Sequence, residues 1–138
     1  MKLNNVVVLT ADKPNLNGHF YPLEELTKIV ENCKGKQFPG MIGMPSFSTL
    51  NNNLSITDEN LALSSEVTGL VDKQLLVNIT ILDTPKGILL KKLIEDINEP
   101  CDHFRTAGLC NIETANEKGT LVIKNYTLCS INYVNNPA

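Results

Sequence analysis

The stretch Leu75–Ile97, LLVNITILDTPKGILLKKLIEDI, constrains this chain more than any other. Its first half alternates, with Leu75, Val77, Ile79 and Ile81 on one face of a strand and Leu76, Asn78, Thr80 and Leu82 on the other. Its second half carries apolar residues at helical spacing. That spacing predicts a helix that buries Ile88, Leu89, Leu93, Ile94 and Ile97 and shows Lys86, Lys91, Lys92, Glu95 and Asp96 to water. Asp83-Thr84-Pro85 marks the changeover: Thr84 can cap a helix whose first turn holds Pro85, where the missing N–H would be an orphan anyway. A strand that feeds a helix with almost no loop is the unit around which the rest packs.

The remaining segments supply strands and one more helix. Leu3–Thr10 is short and β-branched, and Ala11–Gly18 is dense in turn formers. After His19-Phe20-Tyr21, Pro22 opens a helix with Leu23, Leu26, Ile29, Val30 and Cys33 on one face. Glu24, Glu25, Lys28, Glu31 and Lys34 fill the other face, and Gly35 ends it. Phe38–Phe47, with two glycines and two prolines, allows at most a short, irregular strand, and Ser48–Asn60 reads as a polar surface loop. Glu66–Val71 and Leu75–Leu82 form a hairpin turning at Asp72-Lys73. Phe104–Thr114 is a strand, Asn116–Gly119 a turn, and Leu121–Val134 a long or bent strand. Six or seven strands with two edge helices predict an α+β fold, a mostly antiparallel barrel or sandwich.

With 138 residues, the expectation is a single domain spanning 1–138. No apolar run approaches the roughly 20 residues of a bilayer span, and the short apolar run after Met1 stops at Asp12, so neither a membrane segment nor a signal peptide is expected. A net charge of −3 with scattered lysines argues against nucleic acid as a partner. Cys33, Cys101, Cys110 and Cys129 never form a C-x-x-C pair, so buried, reduced thiols are expected rather than a metal site, and no cofactor is implied.

Spacing alone points to no catalytic centre. His19 follows a turn and reads as a surface residue. His103 stands beside Asp102, and neighbouring strand residues point to opposite faces, so the two make a poor relay. Cys110 and Cys129 sit in apolar strand patterns and read as core filler. Gly40-Met41-Ile42-Gly43 lacks the lysine and helix that would make it a phosphate loop.

Three segments, in order, resemble the prohead maturation protease family of tailed bacteriophages. Asn15–Pro22 is similar to the family's N-x-N-G-x-x-Y-P lead-in to its first helix, and Leu82–Gly87 to its L-D-T-P-x-G motif. Ile131–Ala138 is similar to its terminal strand, I-D-x-V-x-N-P followed by a small residue. The resemblance implies a fold like that of herpesvirus assemblins, with a serine nucleophile and a histidine base. The family's base stands in a Gly-x-x-His-Pro context. The matching segment here is Gly40–Pro45, with Met44 at the base, and a thioether takes no proton at neutral pH. The family's serine lies in a strand reading S-S-R-G or S-x-G. Arg105 or Thr106 holds that position here, and a threonine without an adjacent base is a weak nucleophile. The sequence also reaches Asn136-Pro137-Ala138, where the family's catalytic domain ends, so the family's delivery tail is not expected in it.

These replacements imply a protease fold kept without its chemistry. The expected product is a virion structural protein, an auxiliary or decoration protein that binds the major capsid protein or other virion proteins, with a second copy of itself as a further candidate partner. Its place is the capsid, and the host cytoplasm during assembly. The alternative is a working serine-type maturation protease with a rearranged site, using His103 or His19 as base and Thr106, Ser130 or Cys110 as nucleophile. An unrelated small-molecule-binding α+β domain is the third reading.

Overall fold

A computed structural model describes residues 1–45, 56–114 and 119–135. In chain order the elements are β1 (Lys2–Thr10), β2 (His19–Phe20), α1 (Leu23–Cys33), β3 (Gln37–Gly40), β4 (Leu63–Val71), β5 (Gln74–Ile81), α2 (Pro85–Glu95), a 3-10 turn (Pro100–His103), β6 (Phe104–Thr114) and β7 (Leu121–Tyr133). Both described α-helices have 11 residues, and neither is long and apolar enough to cross a membrane.

The strands form two sheets. Four run in the order β1-β5-β4-β3, all antiparallel, and three in the order β2-β7-β6. Among the described strands only the two-residue β2 pairs in parallel, with β7, and isolated parallel bridges join Lys34 to Val67 and Ile42 to Tyr133. One core joins the sheets: Val6, Leu63, Val77 and Ile79 from the first meet Phe104, Ile123, Ile131 and Tyr133 from the second. The expected antiparallel α+β architecture is present, but the barrel is not closed. On one side the chain after β3 is laced to β7, where Tyr133 N–H donates to the Met41 carbonyl (3.0 Å) and Gly43 N–H to that of Tyr133 (2.7 Å). On the other side β1 and β6 are both edge strands, with no ladder between them.

The β5–α2 unit forms as its sequence dictates. Leu75, Val77, Ile79 and Ile81 are all buried. The Thr84 hydroxyl accepts from Gly87 N–H (3.0 Å) and donates to the Leu61 carbonyl, with Pro85 in the first turn. The buried face of α2 agrees with the expected one at Ile94, with Leu93 and Ile97 packed against the core, but Gly87 and Leu90 face the core where Ile88 (50%) and Leu89 (44%) were expected and instead lie in solvent. In α1, Leu23 is exposed and Glu25 is buried, the reverse of the helical-wheel expectation. Pro22 precedes the helix rather than opening it, and the first N–H, of Leu23, donates to the Asp12 carboxylate (3.1 Å). The four thiols are free but not buried as expected: Cys33 and Cys129 are half-buried, and Cys101 and Cys110 are exposed. The surface loop expected over Ser48–Asn60 and the turn expected over Asn116–Gly119 lie largely outside the described residues. The described part of the former ends in a turn at 57–60, where Asn60 N–H donates to the Thr57 carbonyl (3.0 Å).

At the β4–β5 hairpin both central residues, Asp72 (φ 51°) and Lys73 (φ 65°), are left-handed. This is the geometry of a two-residue hairpin turn that favours glycine. Lys73→Gly is expected to raise the unfolding free energy by about 0.5–1 kcal/mol, because the left-handed cost to a side chain exceeds the added entropy of the unfolded chain. The Lys73–Asp12 ion pair that it removes is solvent-exposed and offsets little. Urea denaturation measures the change; a loss of stability would mean that the ion pair outweighs the backbone.

Candidate functional site

A cleft of about 670 Å3 opens between the two sheets. Its floor and one wall come from β6, which contributes every residue from Arg105 to Cys110 and then Ile112. Val8 and Leu9 of β1, Ile123 and Tyr126 of β7, and Met44-Pro45 close it elsewhere, together with His19 and Tyr21. The Asn15–His19 turn positions the last two. The Asn15 side chain accepts from the N–H groups of Asn17 (2.9 Å) and His19 (3.0 Å), and Asn15 N–H donates to the His19 carbonyl (2.9 Å). The segment read as a lead-in motif is thus a folded turn that aims two rings at one opening.

Thr106 lines the cleft from β6, opposite Ile131. The Tyr126 phenol lies 2.9 Å from its hydroxyl. Two features bring that ring across. Gly108 has no side chain, and a Cβ there would fall 2.6 Å from the Tyr126 ring. Asn125 (φ 54°) forms a bulge in β7 that turns Tyr126 off the regular ladder. The bulge frees Tyr126 N–H, and the Glu25 carboxylate, 2% exposed, accepts it at 3.1 Å while pairing with Lys28. This explains why a glutamate is buried on α1. Glu25→Ala is expected to cost about 1–3 kcal/mol by leaving that N–H without a partner. Thermal and urea unfolding would measure it, and a neutral result would show that water replaces the carboxylate.

The electrostatics disfavour an ionised nucleophile. Burial pushes the Tyr126 phenol well above its ordinary range, reinforced by Tyr21 and opposed by the Thr106 hydrogen bond. Tyr21, edge-on to Tyr126 at 5.6 Å, is pushed up to about 12, mainly by burial. Desolvation also raises the Cys110 and Cys129 thiols, so neither is a ready thiolate. Among the described residues Arg105 is the one charged side chain lining the cleft; desolvation lowers its pKa, and the nearby charge of Asp102 opposes that shift. One guanidinium N–H of Arg105 donates to the Phe104 carbonyl (2.8 Å), and no ion pair to Arg105 is found among the described residues.

The residues singled out from sequence separate into two groups. Met44, Arg105, Thr106, His19 and Cys110 all line the cleft, including His19, expected at the surface, and Cys110, expected in the core. His103 and Ser130 do not line it. The His103 Nδ1 is 2.8 Å from the Val134 carbonyl, and its ring stacks on Tyr133. Ser130 is fully buried and accepts from Asn132 Nδ2 at 2.9 Å. That amide is also 3.9 Å from the Met44 thioether, and its oxygen accepts from Met41 N–H (3.2 Å), so Asn132 anchors the segment carrying Met44. Among the described residues neither imidazole hydrogen-bonds a hydroxyl or thiol, and no three His, Cys, Asp or Glu side chains converge on a metal position. Sequence reasoning missed Tyr126 and Glu25, because only the bulge at Asn125 brings them to the site.

No family model matches this chain, and no curated protein matches it. Among solved structures it is similar to the bacteriophage T4 capsid assembly protease, gp21, with a TM-score of 0.72 and 17% sequence identity, over 96% of this chain and 80% of that one. The chain has the fold of a phage capsid protease, at an identity that carries architecture and not activity.

Proposed function

We propose that this protein is a non-catalytic structural component of a phage virion, an auxiliary or decoration protein that stabilises the capsid by binding the major capsid protein. The observation that carries this reading is the state of the cleft. Met44 offers a thioether where the resemblance asks for a base, and the Thr106 hydroxyl is engaged by Tyr126. A general base must reach the proton it abstracts, and neither imidazole bonds to a hydroxyl or thiol among the described residues. The shared architecture with a capsid assembly protease supports a capsid setting, with the host cytoplasm as the place of assembly.

Copy number tests this. Quantitative mass spectrometry of purified particles should find the protein in fixed ratio to the major capsid protein. Its absence from particles would overturn the assignment.

A second reading has one observation in its favour: His19, Thr106 and Cys110 share the cleft. In that reading the protein is a maturation protease in which the imidazole reaches Thr106 only when substrate is bound. Loss of cleavage on His19→Ala would identify it.

A further inference from the structure

We propose that Met44 is an oxidation site, at which a peroxide converts the thioether to a sulfoxide whose oxygen is then held by the buried amide of Asn132. The site concerns one wall of the cleft and stands whether or not the protein binds a capsid.

Three observations meet at this sulfur. Met44 lines the cleft and is 48% exposed, so a small oxidant reaches it. Its Sδ lies 3.9 Å from Asn132 Nδ2, and Asn132 is fully buried. The orientation of that amide is fixed by its other contacts: Oδ1 accepts from Met41 N–H (3.2 Å), so the atom facing Met44 is the donor nitrogen. One of the two Nδ2 hydrogens goes to Ser130 Oγ at 2.9 Å. The other has, among the described residues, only the thioether, a weak acceptor at a long distance. A buried N–H so poorly partnered costs free energy.

Oxidation supplies what that hydrogen lacks. A sulfur lone pair attacks one peroxide oxygen, the O–O bond breaks, and the S–O bond forms. The sulfur is oxidised by two electrons and the peroxide is reduced: one thioether and one hydrogen peroxide give one sulfoxide and one water. A sulfoxide turns an apolar side chain polar and ordinarily disrupts packing. Here the strong acceptor forms beside a donor already in place, and the unbranched Met44 side chain can swing its oxygen onto Asn132. The product ties Met44 to β7 more firmly than the thioether does. Because one side of the sulfur is next to Asn132, its two lone pairs are not equivalent, and one sulfoxide epimer is favoured. Met1 is about as exposed (44%), yet among the described residues no donor is found at its sulfur.

Nitrogen-15 NMR of the purified full chain during a hydrogen peroxide titration, with peptide mass mapping at each step, tests this. Met44 and Met1 are expected to oxidise ahead of the half-buried Met41. As Met44 oxidises, one Asn132 Nδ2 proton should move downfield and its exchange with solvent should slow about fivefold, the factor that one added hydrogen bond supplies. Met44→Leu keeps an apolar side chain and should abolish that change at the same dose. The two methionine sulfoxide reductases, each specific for one epimer, should reveal about a fivefold excess of one epimer at Met44 and near parity at Met1. An Asn132 amide unmoved by full oxidation of Met44, a change that persists in Met44→Leu, equal epimers at both methionines, or a Met44 that oxidises no faster than Met41 would each overturn the inference. Unfolding of the chain as Met44 oxidises would do the same, because the held oxygen should leave the fold intact.

Discussion

Gly40→Ala is expected to destabilise the protein by about 3 kcal/mol, at the upper end of ordinary overpacking. A Cβ at this position would fall 2.0 Å from the Ile131 carbonyl oxygen and 2.4 Å from Leu63 Cδ1. Leu63 could repack in part, but Ile131 is fully buried mid-strand, and its carbonyl cannot swing away without parting the sheets. Gly40 ends β3 where the chain crosses to β7, and Met41, Ile42 and Gly43 then bond along Tyr133 and Asn132. Met44 reaches the cleft because of that crossing, so the substitution should disturb the site as well as the fold. Urea denaturation would give the number. A loss below about 1 kcal/mol would mean that β3 does not lie this close to β7.

Leu90→Ala should cost about 3 kcal/mol, whereas Ile88→Ala and Leu89→Ala should each change stability by less than about 1 kcal/mol. Leu90 is fully buried, and Ile88 and Leu89 are exposed. The helical pattern read from sequence puts Ile88 and Leu89 in the core and assigns Leu90 to neither face, so the three variants decide between the two registers. Comparable losses at all three positions would mean that α2 rotates its apolar residues inward or packs against another surface.

The misassigned face of α2 shows where sequence reasoning loses its hold. In β5 the alternation has one solution, since a period of two flips every residue at once, and Leu75, Val77, Ile79 and Ile81 were legible from it. In α2 the run Ile88-Leu89-Leu90 offers apolar residues around more than half the helix, so periodicity cannot choose. Close packing chooses: a Cβ at Gly87 would fall 1.9 Å from the Leu82 carbonyl oxygen, so that face presses on the chain, and Leu90 and Ile94 follow on the same side. The open barrel was likewise illegible, because nothing local in β1 or β6 says whether two edges will pair.

Of the site, Met44, Arg105 and Thr106 could be read by resemblance, and all three line one cleft. His103 and Ser130, named on residue type alone, lie elsewhere: one turns its ring onto Tyr133, and the other is sealed beneath Asn132. Tyr126 and Glu25 were beyond reach, since 101 positions separate them in sequence and only the left-handed Asn125 joins them.

On the proposed function the fold is kept without peptidase chemistry. Incubating the purified protein with phage scaffold and capsid proteins, followed by mass spectrometry of the products, tests this most directly. The expected result is intact substrate at all times. Fragments that appear with wild-type protein and vanish with Thr106→Ala, His19→Ala or His103→Ala would contradict it.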